Sequence, residues 1–479
     1  MTDDRWRSPL GTRYASPAMQ RLWGEPRRIA LWRRVWLALA ESERELGLDI
    51  PDAALQEMRD HLDDADLARA AEYERRFRHD VMAHVHHFGD QAPAARPFLH
   101  LGATSAFVTD NADLLVMQEG LRLLLGRLLA VLDALGGFAA RHAGEPCLAY
   151  THFQPAQLTT VGKRATLWMQ DFGADVEDLC HRIEGMRLRG CKGTTGTQAS
   201  FLELFGGDHA RVRELDRRVA ERLGFGRTWA VTGQTYTRKA DSAVLDALSG
   251  VAQSAAKMAG DLRLLQHEGE LLEPFESEQI GSSAMAYKRN PMRAERIGGL
   301  ARFVISLQAN TAQTAASQWL ERTLDDSANR RLTLPEGFLA TDAILILATN
   351  IAAGLEVRPE VIRRHVDTQM PFMATERWLM LGVSAGGDRQ ALHEVVRRHS
   401  LAVAESVARG APNDLMDRLA ADPAFRQLPA GALKAELDPA RYTGRSREQV
   451  GEFLTEYVQP LVERARPLAV TPDAAEVRV

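Results

Sequence analysis

Proline is nearly absent from the middle of this 479-residue chain: residues 98–358 hold five of the twenty prolines, at positions 146, 155, 274, 291 and 335. Proline lacks an N–H and its ring clashes with the preceding turn, so its scarcity leaves this stretch free to form very long helices. Cysteine is scarce as well. Cys147, Cys180 and Cys191 are an odd number without metal-ligand spacing, which argues for reduced thiols rather than a disulfide framework. No charge of one sign dominates: 59 basic and 64 acidic residues leave a net charge of −5. Neither nucleic acid nor an anionic membrane is therefore expected as a partner, and any bound anion must be held by a local cluster. No uncharged apolar run reaches the roughly eighteen residues that a membrane span needs. The opening stretch MTDDRWRSPLGTRYAS has no apolar core of the secretory kind, so a cytoplasmic location is the expectation. Alternating strand patterns are short and few, and no fixed-period repeat or low-complexity tract is present.

What remains is an ordinary globular composition, 45% apolar and 26% charged, on a chain too long for one compact core. Leucines recur at helical spacing through DNADLLVMQEGLRLLLGRLLAVLDALGGFAARHAG, where Asp110 or Asn111 is placed to cap the start. A second run, DSAVLDALSGVAQSAAKMAGDLRLLQHEGELLEPF, is closed by Pro274. A third is RAERIGGLARFVISLQANTAQTAASQWLERTLDDSANRR, and a fourth runs from near Phe338 to Pro359. Helices this long need partners along their length, which predicts an antiparallel bundle. The expected architecture is all-α with three domains: 1–104 a helical domain, 105–357 the long-helix bundle, and 358–479 a second helical domain. The bundle's small residues, as in SGVAQSAAKMAG, suit association of several subunits. The final stretch LAVTPDAAEVRV is expected to fray.

Between two of these runs lies GSSAMAYKRNPMRAER, residues 281–296, too polar for a buried helix face. Its bland reading is a solvated loop between helices. Its sharper reading is a mobile anion cradle: Gly281 lets backbone amides turn toward a ligand, Lys288 supplies a point charge, Asn290 orients a carboxylate, and Pro291 with Met292 restarts a helix.

The stretch resembles the signature loop of the fumarase/aspartase superfamily, Gly-Ser-Ser-x-Met-Pro-x-Lys-x-Asn-Pro, with Ala286 standing where the pattern has proline. RSPLGTRYAS, FRHDVMAHV, HLGATSAFVTDN, THFQPAQLTTVGKRA, GTTGTQASF, TGQTYTRK, QWLERTLDDSANRR and PFMATE resemble, in the same order, segments of the adenylosuccinate lyase family, from residue 7 to residue 376. The resemblance implies a fumarase/aspartase-like fold and an elimination in which succinate, attached through nitrogen to a purine or its imidazole precursor, leaves as fumarate. It also implies a homotetramer whose active sites draw on several subunits, and no metal or other cofactor.

By the same resemblance Ser282 is the base, His152 the general acid, and Lys288 and Asn290 hold the carboxylate whose charge grows. A free hydroxyl is a very poor base, so Ser282 needs backbone amides near Gly281 and the charge of Lys288 to ionise. Ser283 reads equally as a supporting donor or as structural. His79 would hydrogen-bond substrate, with Arg78 and Asp80 on the same wall, and Glu295 would orient Lys288 or a histidine. Thr104, Ser105, Thr151 and Gln234 match contacts to the succinyl carboxylates. Arg13, Tyr14, Arg322, Ser327 and Arg331 match phosphate contacts, and Arg296 a further substrate contact. Ser327 and Arg331 are four apart and can share a helix face, and the arginine fork suits phosphate oxygens.

Rival readings weigh less. The cluster His79, His84, His86 and His87 lacks a metal-type helical pair with an intervening glutamate. RGCKGTTGTQ has no Lys-Ser or Lys-Thr at the spacing of a phosphate loop. Asp325 and Asp326 allow 321–331 to be a plain charged helix surface. A non-catalytic scaffold has no use for Ser282 with Lys288, while a superfamily relative acting on another N-succinyl substrate has only Ala286 in its favour.

Overall fold

A computed structural model describes residues 5–473. The chain opens with α1 (Pro17–Leu22), α2 (Glu25–Glu45), α3 (Asp52–Asp60), α4 (Leu67–Phe77) and α5 (Asp80–Gln91), then enters α6 (Ser105–Arg141). A hairpin of β1 (Pro146–Thr151) and β2 (Gln154–Thr160) leads into α7 (Val161–Gly185), followed by α8 (Ala199–Leu204), α9 (His209–Arg222) and α10 (Lys239–His267). The short strand β3 (Leu271–Leu272) precedes the polar loop, after which come α11 (Met292–Ser317), α12 (Asp325–Gly354) and β4 (Glu356–Val357). Helices α13 (Pro359–Met373), α14 (Thr375–Ser384) and α15 (Arg389–Ala408) follow, with shorter helical turns closing the chain. The fold is all-α; among the described residues the strands form two small antiparallel ribbons, β1–β2 and β3–β4.

The long helices pack on one another: α6 against α7 and α12, and α10 against α7, α11 and α12. At 1.5 Å per residue α6 spans about 55 Å. Its buried residues, from Ala106 to Ala139, occur on nearly every face, as befits a helix with neighbours all round. One apolar core runs from Leu10 through these helices to Ala465. A separate cluster gathers on Trp378, whose indole N–H donates to Leu433 O at 2.9 Å.

Several helix limits differ from the sequence expectation. α6 begins at Ser105 behind an extended Thr104, so Asp110 and Asn111 are buried in the helix rather than capping it. Asn111 instead holds the chain at Gly190, whose N–H it accepts at 2.9 Å. α10 ends at His267, ahead of left-handed Gly269 and well before Pro274. The third run breaks at Gln318, and the fourth helix starts at Asp325 and continues through Pro335. A proline inside a helix forfeits one hydrogen bond, which the packing of α12 on α6, α10 and α11 offsets. Two helices, α6 and α12, are long and apolar enough to cross a membrane by hydropathy alone, but their most apolar windows are 61% and 72% buried within the protein. The end of the chain is tied down as far as it is described: Val470 N–H donates to Arg122 O at 3.0 Å, and Arg127 reaches Asp473 O. Residues 474–479 of the stretch expected to fray lie outside the described residues.

Candidate active site

A cavity of about 670 Å³ opens where α2, the start of α5, the start of α6, residues 234–238 and the first turns of α12 converge. Arg78, His79, Asp80, Thr104, Ser105, Gln234, Arg322, Ser327 and Arg331 all line it. Distant segments meet directly here: Arg331 Nη2 donates to Asp80 Oδ2, 251 positions away in sequence, at 3.0 Å.

Local structure explains each placement. Arg78 adopts the left-handed conformation that stops α4, and His79 then caps α5, its Nδ1 accepting from Met82 N–H at 3.4 Å. With Nδ1 an acceptor, the proton of the neutral ring sits on Nε2, 3.3 Å from Ser105 Oγ, where it faces the cavity. Thr104 precedes α6 without using its hydroxyl as a cap, which leaves that hydroxyl for other partners. Gln234 is fixed through its backbone: its N–H donates to Glu321 O at 3.0 Å and its carbonyl accepts from Arg189 Nε at 2.7 Å.

The same cavity is also lined by Asp110, Asp113, Arg238, Asp326 and Arg330, members of a largely buried ion network that the sequence reading missed. Arg238 forks onto Asp110 at 3.1 and 3.2 Å and reaches Asp326 at 2.7 Å. Arg330 bonds Asp241 at 2.6 Å and the Tyr236 hydroxyl at 2.6 Å, and pairs with Asp113 at 2.9 Å. Complete burial would raise the Asp110 carboxyl, but Arg238, Arg330 and Arg189 outweigh it and hold the group below its ordinary range. The helix-surface reading of 321–331 therefore fails for Asp326 and Arg330, which are buried, and holds for Asp325, which is exposed. A usable signal was present: Asp326 and Arg330 repeat the four-residue spacing of Ser327 and Arg331 one position earlier.

The other proposed residues do not line this cavity. Thr151 and His152 sit exposed at the end of the β1–β2 hairpin, where Thr151 pairs with Gln154 and the intervening His152 and Phe153 have φ of 54° and 59°. Two successive positive φ values are those of a type I′ hairpin turn, which projects both side chains outward. Tyr14 lies under Arg296, whose guanidinium is 5.4 Å from its ring centroid, and Arg13 is exposed nearby in sequence.

The polar loop is a separate, largely exposed unit. Asn290 Nδ2 donates to Gly281 O at 2.8 Å and closes its base. A Cβ at position 281 would run into the carbonyl oxygen of Lys288, so only glycine permits this approach. Ser282 Oγ accepts from the N–H groups of Met285 at 3.1 Å and Ala284 at 3.3 Å. The amides facing this hydroxyl thus follow it in sequence, rather than lying near Gly281 as expected. Lys288 is exposed, and its backbone N–H closes a turn onto Met285 O at 3.0 Å. Glu295 is exposed on the first turn of α11, whose start is capped by Glu273 accepting from Arg293 and Ala294 N–H at 2.9 and 3.0 Å.

The four clustered histidines diverge. His84 packs edge-on to Trp32, His86 lies against Tyr73 and Phe77, and His87 accepts from Asp66 N–H at 2.9 Å. Among the described residues no group of three or more His, Cys, Asp or Glu is arranged to hold a metal ion.

The bundle of long helices is that of the fumarase/aspartase-like lyases. A family model described as "Lyase" matches residues 18–306. The fold is shared with 3-carboxy-cis,cis-muconate lactonizing enzyme from Pseudomonas putida (TM-score 0.80, 23% identity, covering 95% of this chain and 98% of that one). It is shared also with fumarate lyase from Mesorhizobium sp. BNC1 (TM-score 0.78, 24% identity, 92% and 98%). Within that class the chain belongs to the adenylosuccinate lyases: a second model, "Adenylosuccinate lyase C-terminus", matches residues 371–453. Adenylosuccinate lyase of Saccharomyces cerevisiae is 48% identical over 94% of both chains, and that of Schistosoma mansoni is 47% identical over 96% of both.

Proposed function

We propose that this protein cleaves adenylosuccinate to AMP and fumarate, and that it acts likewise on succinyl-aminoimidazole-carboxamide ribotide in purine synthesis. The observation that carries this reading is the cavity, where the donors His79, Thr104, Ser105 and Gln234 share one space with Arg78, Arg322 and Arg331. Its volume lies within the roughly 300–1,000 Å³ of small-molecule sites.

In the proposed reaction Ser282, as alkoxide, takes the proton from the carbon beside a succinyl carboxylate. The carbon–hydrogen pair becomes the new double bond, the carbon–nitrogen bond breaks, and His152 delivers a proton to the departing nitrogen. The intermediate carries two charges on one carboxylate, so preorganised donors and cations supply most of the stabilisation. Lys288 and Asn290 would serve that carboxylate, with Thr104, Ser105, Thr151 and Gln234 binding the succinyl group. Arg13, Tyr14, Arg322, Ser327 and Arg331 would take the phosphate, and Arg296 would make a further substrate contact. The Ala284 and Met285 amides support an ionised Ser282, because hydrogen bonds to the charged form favour it. Glu295 would orient Lys288 or a neighbouring histidine.

The exposed hairpin tip, the exposed loop and the cavity are three separate parts of one chain, which favours a homotetramer whose subunits exchange these parts; a cytoplasmic location is proposed alongside it from the sequence. The exposed apolar side chains Phe153, Tyr287, Trp319 and Leu320 suit such contacts. The division at about residues 104 and 357 belongs to the same reading. An absorbance assay for loss of adenylosuccinate tests it: turnover is expected, and Ser282→Ala or His152→Ala should each abolish it in a protein that still assembles. Intact turnover in either variant refutes that residue's role; a wild-type enzyme inert on adenylosuccinate but active on another N-succinyl compound would redirect the substrate.

A further inference from the structure

The run DDSANRR at the start of α12 holds two pairs at helical spacing, offset by one residue. All four border the cavity, but Asp326 and Arg330 are only 1% and 7% exposed and spend their polar groups on the buried network, whereas Ser327 and Arg331 are more open to it. A one-residue offset on a helix turns the side chain by about 100°, so anchoring the inner pair fixes the direction of the outer pair.

We infer that Asp326 and Arg330, together with Arg238, are positioning residues that set the angle of the phosphate-binding pair Ser327 and Arg331. The inference rests on the reading of Ser327 and Arg331 as phosphate contacts. Arg238 joins Asp326 on α12 to Asp110 on α6, and Asp110 Oδ2 also accepts from Tyr236 N–H at 3.2 Å, two residues beyond Gln234. Arg330 joins α12 to Asp241 on α10 and Asp113 on α6. Tyr236 lies between the two guanidiniums, 4.5 Å from Arg238 and 5.5 Å from Arg330 by ring centroid. Three walls of the cavity are thereby locked into one rigid unit.

Holding helices together does not call for such a network, since well-packed apolar side chains of similar volume serve as well or better. Directional hydrogen bonds add a defined rotation, which apolar contact specifies less sharply. Asp326 Oδ1 is buried without a partner, so the carboxylate sits where Arg238 needs it although one oxygen is left unsatisfied.

Asp326→Asn keeps the shape and weakens the grip of Arg238; Tyr236→Phe removes only the hydroxyl that Arg330 donates to and is the gentler variant should the first not fold. Both are compared with Arg331→Ala. Steady-state kinetics on adenylosuccinate, inhibition by AMP and the thermal midpoint of each protein are measured. Asp326→Asn is expected to raise KM and the AMP inhibition constant together by roughly tenfold while kcat changes less than threefold, and Tyr236→Phe to move both constants the same way by about threefold. A folded Asp326→Asn or Tyr236→Phe protein that is less heat-stable yet binds AMP like the wild type overturns the inference, as does a fall in kcat with KM unchanged. If Arg331→Ala alone weakens AMP binding, only the positioning inference falls; if Arg331→Ala has no effect either, the phosphate reading falls and takes the inference with it.

Discussion

Arg331 and Asp80 meet at 3.0 Å, joining the first turns of α12 to the residue that follows His79. Both side chains are partly open to solvent, 59% and 35% exposed, so the pair itself contributes about 0–1 kcal/mol. A phosphate dianion on Arg331 would lie roughly 6 Å from Asp80, where repulsion is on the order of 1–2 kcal/mol even in water-like surroundings. Repulsion is the larger effect. Asp80→Asn should therefore tighten inhibition by AMP several-fold, with little loss of heat stability. Weaker inhibition would identify Asp80 as a ligand-organising group instead.

His79 serves two purposes that substitution can separate. As the N-cap of α5 it is replaceable by asparagine, whereas alanine leaves Met82 N–H unsatisfied and should lower stability by about 1 kcal/mol. Both variants lose the Nε2 proton that faces the cavity. Thermal melts should rank His79→Asn near the wild type and His79→Ala below it, while kcat/KM falls by a factor of ten or more in both.

Ala286 occupies the second position of the turn that Lys288 N–H closes onto Met285 O, the position proline favours. The Ala286→Pro variant should fold normally and resist cleavage of the loop by trypsin at Lys288 or Arg289, since proline restricts the open forms by about 0.4–1 kcal/mol. A drop in kcat/KM of more than about fivefold would show that alanine is needed for loop movement.

Ser282 and His152 lie on separate exposed segments of the chain. Mixing inactive Ser282→Ala and His152→Ala proteins under conditions that exchange subunits should restore activity, up to about a quarter of the wild type in random tetramers that pool three subunits per site. No recovery in mixtures shown to have exchanged would sink the shared-site reading.

His84 and His100 are both pushed down to about 4: burial does most of this at each, with the charge of His87 and Arg33 adding to it for His84 and that of His79 for His100. His100 accepts from the Trp36 indole N–H at 2.9 Å, which requires its neutral form. The folded value lies below the unfolded one of 6.5, so the unfolded chain binds more protons between about pH 4 and 6.5. Stability from this group is full above pH 6.5 and is lost as pH falls, by on the order of 2 kcal/mol at pH 5. Thermal midpoints should decline from pH 7 to pH 5, and His100→Asn, which tolerates the left-handed backbone at φ 63°, should flatten that decline.

The long helices were legible because proline is scarce and leucine recurs at their period, and the loop was legible because its donors have no place on a buried face. Helix limits were harder. Asp110 looks like a cap when only its neighbours in sequence are considered, and is kept a buried anion by distant arginines, Arg238 lying 128 positions away. Pro335 reads as a break unless the packing that carries α12 past it is known. The cavity's polar rim could be read from segments similar to a family, whereas Asp326 and Arg330 were hidden by their resemblance to a solvated surface. The proposed meeting of hairpin tip, loop and cavity between subunits leaves no signal in the spacing of a single chain.

Pro335 has a chemical by-product. With no N–H to offer, it leaves the main-chain oxygen of Arg331 outside the ladder of α12, on a stretch that Arg331, Leu334 and Pro335 set against the cavity. A wall furnished with guanidiniums, hydroxyls and charged carboxylates thus gains an uncharged lone-pair acceptor that no side-chain substitution at 331 can remove. A sugar hydroxyl presented there would find something to donate to.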